Sequence, residues 1–236
     1  MMRLNKYIAH SGVCSRRKAV DLIKDGKVKV NGEVEINPAV EITDKDVVEY
    51  LGKVLALETT KVYLLMNKPK NFVTTLSDEM GRKTVMDLIK GKIPERIYPV
   101  GRLDRMTTGL LMLTNDGDIA KKLTHPSHGV KKIYQVTLNK EVADSDIESI
   151  RKGFELEDGE VKVDAIEHVK NESKNTVGIE IHMGKNRIVR RIFEHFDYQV
   201  LKLDRVYFGG LTKKDLPRGF FRHLTEKEII MLQHFT

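Results

Sequence analysis

One cysteine, Cys14, is all that the 236 residues contain, which excludes an internal disulfide and a cysteine-built metal cluster. Long apolar runs are missing too. None approaches the roughly 20 residues needed to span a bilayer, and the opening "MMRLNKYIAHSG" lacks the apolar core of a secretory signal. The expectation is a cytoplasmic protein, folded without covalent staples and with no membrane association. Several catalytic signatures are also lacking: no G-x-S-x-G elbow, no G-x-x-x-x-G-K-S/T phosphate loop, no G-x-G-x-x-G fingerprint and no H-E-x-x-H pair. His125 and His128, in "HPSHG", have no cysteine or acid nearby in sequence and read as part of a structural loop. His182 and His195 read as structural, and Cys14 as a small packed residue before a helix start. Neither a metal nor a redox cofactor is implied.

Charge is present in excess of one sign. The net is +7, and its distribution says more than its sum. Residues 1–32 hold eight Lys/Arg against two acids, and residues 184–222 hold ten against four, which leaves the remainder net negative by five. Two separate basic blocks suggest a polyanion touched at two places, with salt-dependent binding through counterion release. A solvated basic face is the alternative for either block alone.

The first block reads as two short helices and a hairpin. "RLNKYIAHSG" places Leu4, Tyr7 and Ile8 on one face and stops at Gly12. "SRRKAVDLIKDG" offers Ser15 as N-cap, with Ala19, Val20, Leu22 and Ile23 facing inward. "KVKVNGEV" alternates and then turns at Asn31-Gly32, the strongest short hairpin signal. A capped helix start carrying Arg16, Arg17 and Lys18, followed by Lys29 in the hairpin, suits phosphate. A boundary near residue 60 separates this block (1–60) from the rest (61–236).

Beyond it, strands and helices alternate irregularly. "VYLLMN", "FVTTL", "GLLMLTN", "KIYQVTL", "VKVDAIEHV", "TVGIEIHM" and "VLKLDRVYF" read as strands. "TVMDLI", "DIAKKLT" with Asp118 as cap, "SDIESIRKG" with a Ser145–Glu148 capping box, "RIVRRIFEHF" and "TEKEIIMLQHF" with a Thr225–Glu228 box read as helices. The fold class is α+β with a mixed, mainly antiparallel sheet.

One carboxylate stands out. In "GRLDRMTTGLLMLTNDG", Asp104 lies between Arg102 and Arg105, just ahead of the apolar run Leu110, Leu111, Leu113. Nearby cations favour its ionised form, and an ionised aspartate at the edge of an apolar wall is suited to nucleophilic attack. A surface ion pair is the competing reading. A glycosidase would need a second acid, and Asp116 reads as a turn residue.

These residues also carry a resemblance. Residues 2–58, with "SRRKA" and "VKVNG" in order, resemble the S4 RNA-binding domain. "GRLD" with "TTGLLMLTNDG" resembles the catalytic motif of pseudouridine synthases, in the RsuA/RluB branch that modifies ribosomal RNA. "LLMNKP", "HPSHGVKKIYQV", "GKNRIVRRIF", "VLKLDRVYFGGL" and "RHLTEKEI" agree in order, and "FVTTLSDEMGRKTVMDLI" is closer to the RluB type, which acts on large-subunit rRNA. The resemblance implies that Asp104 attacks the target uridine, at the anomeric carbon or the base, without cofactor or energy input. It implies that Tyr134 stacks on the flipped uracil, that Arg190 pairs with the aspartate and that Leu203 lines the base pocket. Arg102 and Arg105 become candidates for phosphate contact or loop support, as do Arg187 and Arg191 for phosphate contact from one helix face. Ile188 and Asp204 depart from the usual pattern, where a Gln or Glu and a basic residue or His are common. The implied partner is rRNA and the implied state a monomer. A small-subunit rRNA synthase and a non-catalytic rRNA-binding assembly factor are the alternatives.

Overall fold

A computed structural model describes residues 1–234, so that Phe235 of the last helical stretch lies outside the described residues. The chain forms two units, Met1–Lys61 and a second from Val62 onward.

The first unit follows its sequence pattern closely. Helices α1 (Leu4–His10) and α2 (Arg16–Lys24) are followed by strands β1 (Val28–Val30) and β2 (Glu33–Val34), then β3 (Val48–Tyr50) and β4 (Lys53–Val54), in sheet order β2-β1-β3-β4. Ser15 caps α2 by accepting from the Lys18 amide at 3.2 Å. Asn31 and Gly32 both take positive φ (54° and 87°), as the two-residue turn between twisted strands demands. Leu4 and Ile8 of α1, Ala19, Leu22 and Ile23 of α2, and Val28 and Val48 from the sheet form one core. Each fully buried aliphatic side chain there contributes about 1.5–3 kcal/mol. Val20 is only half-buried.

The second unit is built on a nine-stranded sheet. Its main strands and helices run β5 (Tyr63–Lys68), β6 (Thr108–Thr114), α3 (Gly117–Thr124), β7 (Lys132–Leu138), α4 (Asp144–Lys152), β8 (Ala165–His168), β9 (Thr176–Ile181), α5 (Ile188–His195), β10 (Val200–Phe208), β11 (Phe221–His223) and α6 (Glu226–Gln233). The order across the sheet is β8-β9-β7-β10-β6-β5-β11, with Tyr98–Pro99 pairing to β6 and Leu211–Thr212 to β10. Every pairing is antiparallel except β6 with β10, where Thr108 meets Asp204 and Gly109 meets Arg205. Central strands β5 and β6 are buried on both faces, which is why "YLLM" and "GLLML" read as continuous apolar runs. Leu64, Met66, Leu111 and Leu113 pack on one side with Ile147 and Ile150 of α4 and Ile192 and Phe193 of α5. Tyr63, Leu65, Leu110 and Met112 pack on the other with Ile119 and Leu123 of α3 and Leu232 of α6.

Four local expectations are corrected. "FVTTL" is not a strand; Val73 makes only an isolated bridge to Thr84. Its threonine hydroxyls bond to backbone instead, Thr74 to Leu103 and Thr75 to Ser77, and such bonds compete with a ladder. The cap of α3 is Asp116, not Asp118: its carboxylate accepts from the amides of Asp118 and Ile119 at 3.1 and 3.2 Å, and from the Tyr63 hydroxyl at 2.7 Å. The Ser145–Glu148 box does not form. Helix α4 starts from Ala143, whose carbonyl takes the amides of Asp146 and Ile147, while Glu148 pairs with Arg151. "VKVDAIEHV" breaks in two: Gly159–Val161 turns back on Phe154–Leu156, and β8 begins only at Ala165. The Thr225–Glu228 box does form and caps α6.

Candidate active site

Asp104 occupies the loop leading into β6, and the loop backbone is held from three directions. Lys68, the last residue of β5 and fully buried, points its ammonium at four carbonyls: Thr107 at 2.8 Å, Asp104 at 3.0 Å, Pro69 at 3.2 Å and Arg105 at 3.4 Å. A buried charge is tolerable only when polar partners replace water, and here those partners are the loop itself. Burial pushes the Lys68 ammonium down to about 8, against the pull of Asp104. Thr74 Oγ1 accepts from the Leu103 amide at 3.2 Å and donates to the Leu103 carbonyl at 2.7 Å. The Asn71 amide donates to the Arg105 carbonyl at 2.9 Å. With the Thr107 amide bonded back to the Asp104 carbonyl at 3.0 Å, the loop closes into a turn with Asp104 at its start.

Beside this turn lies a cavity of about 190 Å³, lined among others by Arg102, Asp104, Tyr134, Arg187, Arg190 and Leu203. The sheet register places Val136 opposite Leu203 and Tyr134 opposite Arg205, so β7 and β10 put the ring, the leucine and a guanidinium on one wall. Tyr134 and Leu203 are 8% and 5% exposed, and the cavity-facing side of α5 adds Ile188, Val189 and Arg190.

Arg187 is the cation nearest Asp104 among the described ion pairs, at 3.9 Å. It precedes α5 in a left-handed conformation, φ +46°, and also reaches Glu194 at 3.4 Å. Arg190 donates through Nη1 to the Val200 carbonyl at 3.1 Å. Burial, then the adjacent Arg187, lower its affinity for its proton, while Asp104 acts in the opposite sense.

Arg102 lines the cavity mouth and is exposed. The expected flanking of Asp104 by Arg102 and Arg105 is not realised as ion pairs among the described residues. The turn at residues 104–107 carries successive side chains apart. Arg187 and Arg191 do not share a free basic face either: Arg187 sits ahead of the helix, and Arg191 is held by Asp158 at 2.6 and 2.9 Å. Asp204 faces the opposite side of the sheet from Leu203, bound by Arg218 at 2.9 Å and by Lys213. Burial alone would raise its carboxyl, but those two cations outweigh burial and hold it below its usual value. In the first unit, Arg16, Arg17, Lys18 and Lys29 are all exposed, and none has an ion pair among the described residues.

Four residues that bear on the site escaped the sequence reading: Lys68, Thr74, Lys132 and Arg205. Lysine ending a strand buried on both faces, as in "LLMNKP", is the one signal that could have found Lys68. Lys132 and Arg205 line the cavity but alternate in strands where a cation ordinarily faces solvent.

Residues 62–195 match the RNA pseudouridylate synthase family, and residues 2–48 match the S4 domain. The ribosomal large subunit pseudouridine synthase B of Bacillus subtilis (strain 168) is 41% identical over 99% of this chain and 96% of that protein. An uncharacterized RNA pseudouridine synthase of Aquifex aeolicus (strain VF5) is 41% identical over 98% of this chain and 93% of its own length. A crystal structure of a pseudouridylate synthase superposes with a TM-score of 0.70 at 28% identity, covering 98% of this chain and all of that one. A turn carrying an aspartate, clamped to the end of a central strand and opening on an aromatic, cationic cavity, is thus found in a chain that belongs to the RNA pseudouridylate synthase family.

Proposed function

We propose that this protein converts a specific uridine of large-subunit ribosomal RNA to pseudouridine, acting as a monomer in the cytoplasm. The observation that supports it most is the convergence of Asp104, Tyr134, Arg190 and Leu203 on one cavity, from four separate stretches of chain. The B. subtilis relative is named for the large subunit, which favours that substrate over the small-subunit alternative.

In this reading the target nucleotide leaves its helix and its base stacks on Tyr134. Stacking contributes about 1–3 kcal/mol per base, comparable to the cost of extrusion. Leu203 packs the base, and the Asp104 carboxylate attacks, at the anomeric carbon or the base. The N1–C1′ bond breaks with its electron pair on the base. The uracil then turns so that C5 bonds to C1′, the bond that the carboxylate made breaks with its electron pair returning to Asp104, C5 gives up its hydrogen as a proton, and N1 takes one up. Reactant and product have the same atoms, so no redox partner or energy source enters. Arg187, 3.9 Å from that carboxylate, and Arg190, which lines the same cavity, offset its negative charge. Arg102 at the mouth meets phosphate, and the exposed Arg16, Arg17, Lys18 and Lys29 of the first unit dock RNA. Residues 1–60 are thus read as the docking domain and 61–236 as the catalytic one. A carboxylate beside a polyanion would only repel in a protein that merely binds.

Tritium release from rRNA transcripts labelled at uracil C5 tests this reading. Wild type releases label and Asp104→Asn does not. Equal release by both removes Asp104 as nucleophile, and no release by wild type from any rRNA fragment favours the binding-only alternative.

A further inference from the structure

Six buried side-chain polar atoms lack a hydrogen-bond partner among the described residues, and three of them belong to residues lining the active-site cavity: Thr107 Oγ1, Arg190 Nε and Arg205 Nη2. The Arg205 guanidinium is the most unusual of these groups. The residue is 3% exposed, its Nε donates to the Leu110 carbonyl at 2.7 Å, and its Cζ lies 4.4 Å from the centre of the Phe208 ring. No acid is paired with it among the described residues. An unpaired buried guanidinium is strongly unfavourable, so its retention at this depth calls for a partner that arrives from outside.

The surroundings make the position rigid. Arg205 is the cross-strand neighbour of Tyr134 on one side and of Gly109 on the other. At Gly109, where φ is +105°, a Cβ would overlap the Arg205 carbonyl oxygen and amide nitrogen, so glycine lets β6 press against this point of β10. Lys132 stands next to it, and its ammonium, bonded to the His182 carbonyl at 2.7 Å, is pushed down to about 8 by burial and by Arg205 itself. Mouth and floor therefore differ. Exposed Arg102 and Arg187 are placed for phosphates, which stay near water. Arg205 is placed for whatever enters deepest, beside the ring that stacks the base.

We propose that the Arg205 guanidinium, assisted by the Thr107 hydroxyl, donates to an exocyclic carbonyl oxygen of the extruded base, an inference that rests on reading this cavity as a uridine site. A guanidinium offers only donors, so it accepts a pyrimidine that presents carbonyl oxygens and disfavours an exocyclic amine. When the N1–C1′ bond breaks, the electron pair left on N1 spreads onto O2 and O4. A fixed cation at one of those oxygens stabilises the departing base in a water-poor site.

The test pairs a change in the enzyme with a change in the substrate. Once wild type has marked a target uridine in an rRNA fragment, that fragment is remade with 2-thiouridine or 4-thiouridine at the same position, because sulfur accepts hydrogen bonds weakly. Wild type should slow about tenfold or more on one of the two sulfur substrates, whereas Arg205→Met, which has no donor and is slower on the oxygen substrate, should show no such sulfur penalty. The penalty is a ratio measured within each variant, so partial misfolding of Arg205→Met cancels. An equal penalty in both enzymes, or none in wild type on either substrate, overturns the proposal. Weaker RNA binding by Arg205→Met with the penalty intact also overturns it, and shows that the guanidinium meets phosphate instead. Failure of wild type on the oxygen fragment sinks the uridine reading as well.

Discussion

The cations of residues 1–61 and those around the cavity are the same residue types put to opposite uses. Arg16, Arg17, Lys18 and Lys29 are exposed and have no ion pair among the described residues, so solvent satisfies them and any attraction they exert on a polyanion is screened by salt. Lys68, Lys132, Arg190 and Arg205 are half to fully buried, and each directs hydrogen bonds to backbone carbonyls: of the 104–107 loop, His182, Val200 and Leu110 respectively. Those bonds are insulated from salt and fix geometry. The comparison teaches that a positive net charge is divided here between exposed cations open to a polyanion and buried ones that fix backbone geometry.

The comparison can be broken most severely at Lys68. Lys68→Met leaves three carbonyls of the Asp104 loop and that of Pro69 without their ammonium, and misplacing Asp104 by about 1 Å costs on the order of 100-fold in rate. The single-turnover rate should fall by that order while the rRNA dissociation constant stays within about threefold; a loss confined to affinity would place Lys68 with the surface cations. Replacing Arg16, Arg17, Lys18 and Lys29 together by alanine should do the reverse. The dependence of log affinity on log salt should flatten by roughly 0.7–0.9 for each phosphate that is no longer neutralised, with the rate on saturating RNA unchanged. Thr74 sharpens the interior side: Thr74→Val removes both bonds to Leu103 and should slow turnover about tenfold, and Thr74→Ser should restore it.

Smaller effects are expected away from the site. Arg222 beside Glu228, with the Thr225 amide and hydroxyl, holds that carboxyl at about 2 instead of the ordinary 4.5. A depressed carboxyl contributes stability that is fully present above pH 4.5 and is lost as pH falls through about 2. Melting temperature measured down that range should drop further for the wild type than for Glu228→Gln. Least of all should come from Arg191→Ala, because Asp158 already occupies that guanidinium; rRNA affinity should change by less than about twofold.

Most of the fold was legible because each element is locally consistent. Ser15, Asn31-Gly32 and the Thr225–Glu228 box declare their ends, and "YLLM" and "GLLML" declare strands covered on both faces. "FVTTL" misled because β-branched threonines favour strands by composition, yet their hydroxyls bonded to loop backbone. Ser145 misled because capping depends on which carbonyl begins the helix, and Ala143 does. Asp104 and Tyr134, which line one cavity, were singled out by their motifs. Arg205, Lys132 and the clamp by Lys68 were not, because a buried cation looks like an exposed one until the strands are paired. The Arg191–Asp158 pair was hidden by 33 residues of separation.

One salt series on the unaltered protein addresses the division of labour most directly. Single-turnover rates are measured against rRNA concentration from about 50 to 200 mM salt, giving a plateau and a half-saturation point at each salt. Insulated interior cations predict a half-saturation point that rises steeply while the plateau holds within about twofold. A plateau that falls in step with affinity would contradict the account, since the groups that place Asp104 would then be as open to salt as those that attract the RNA.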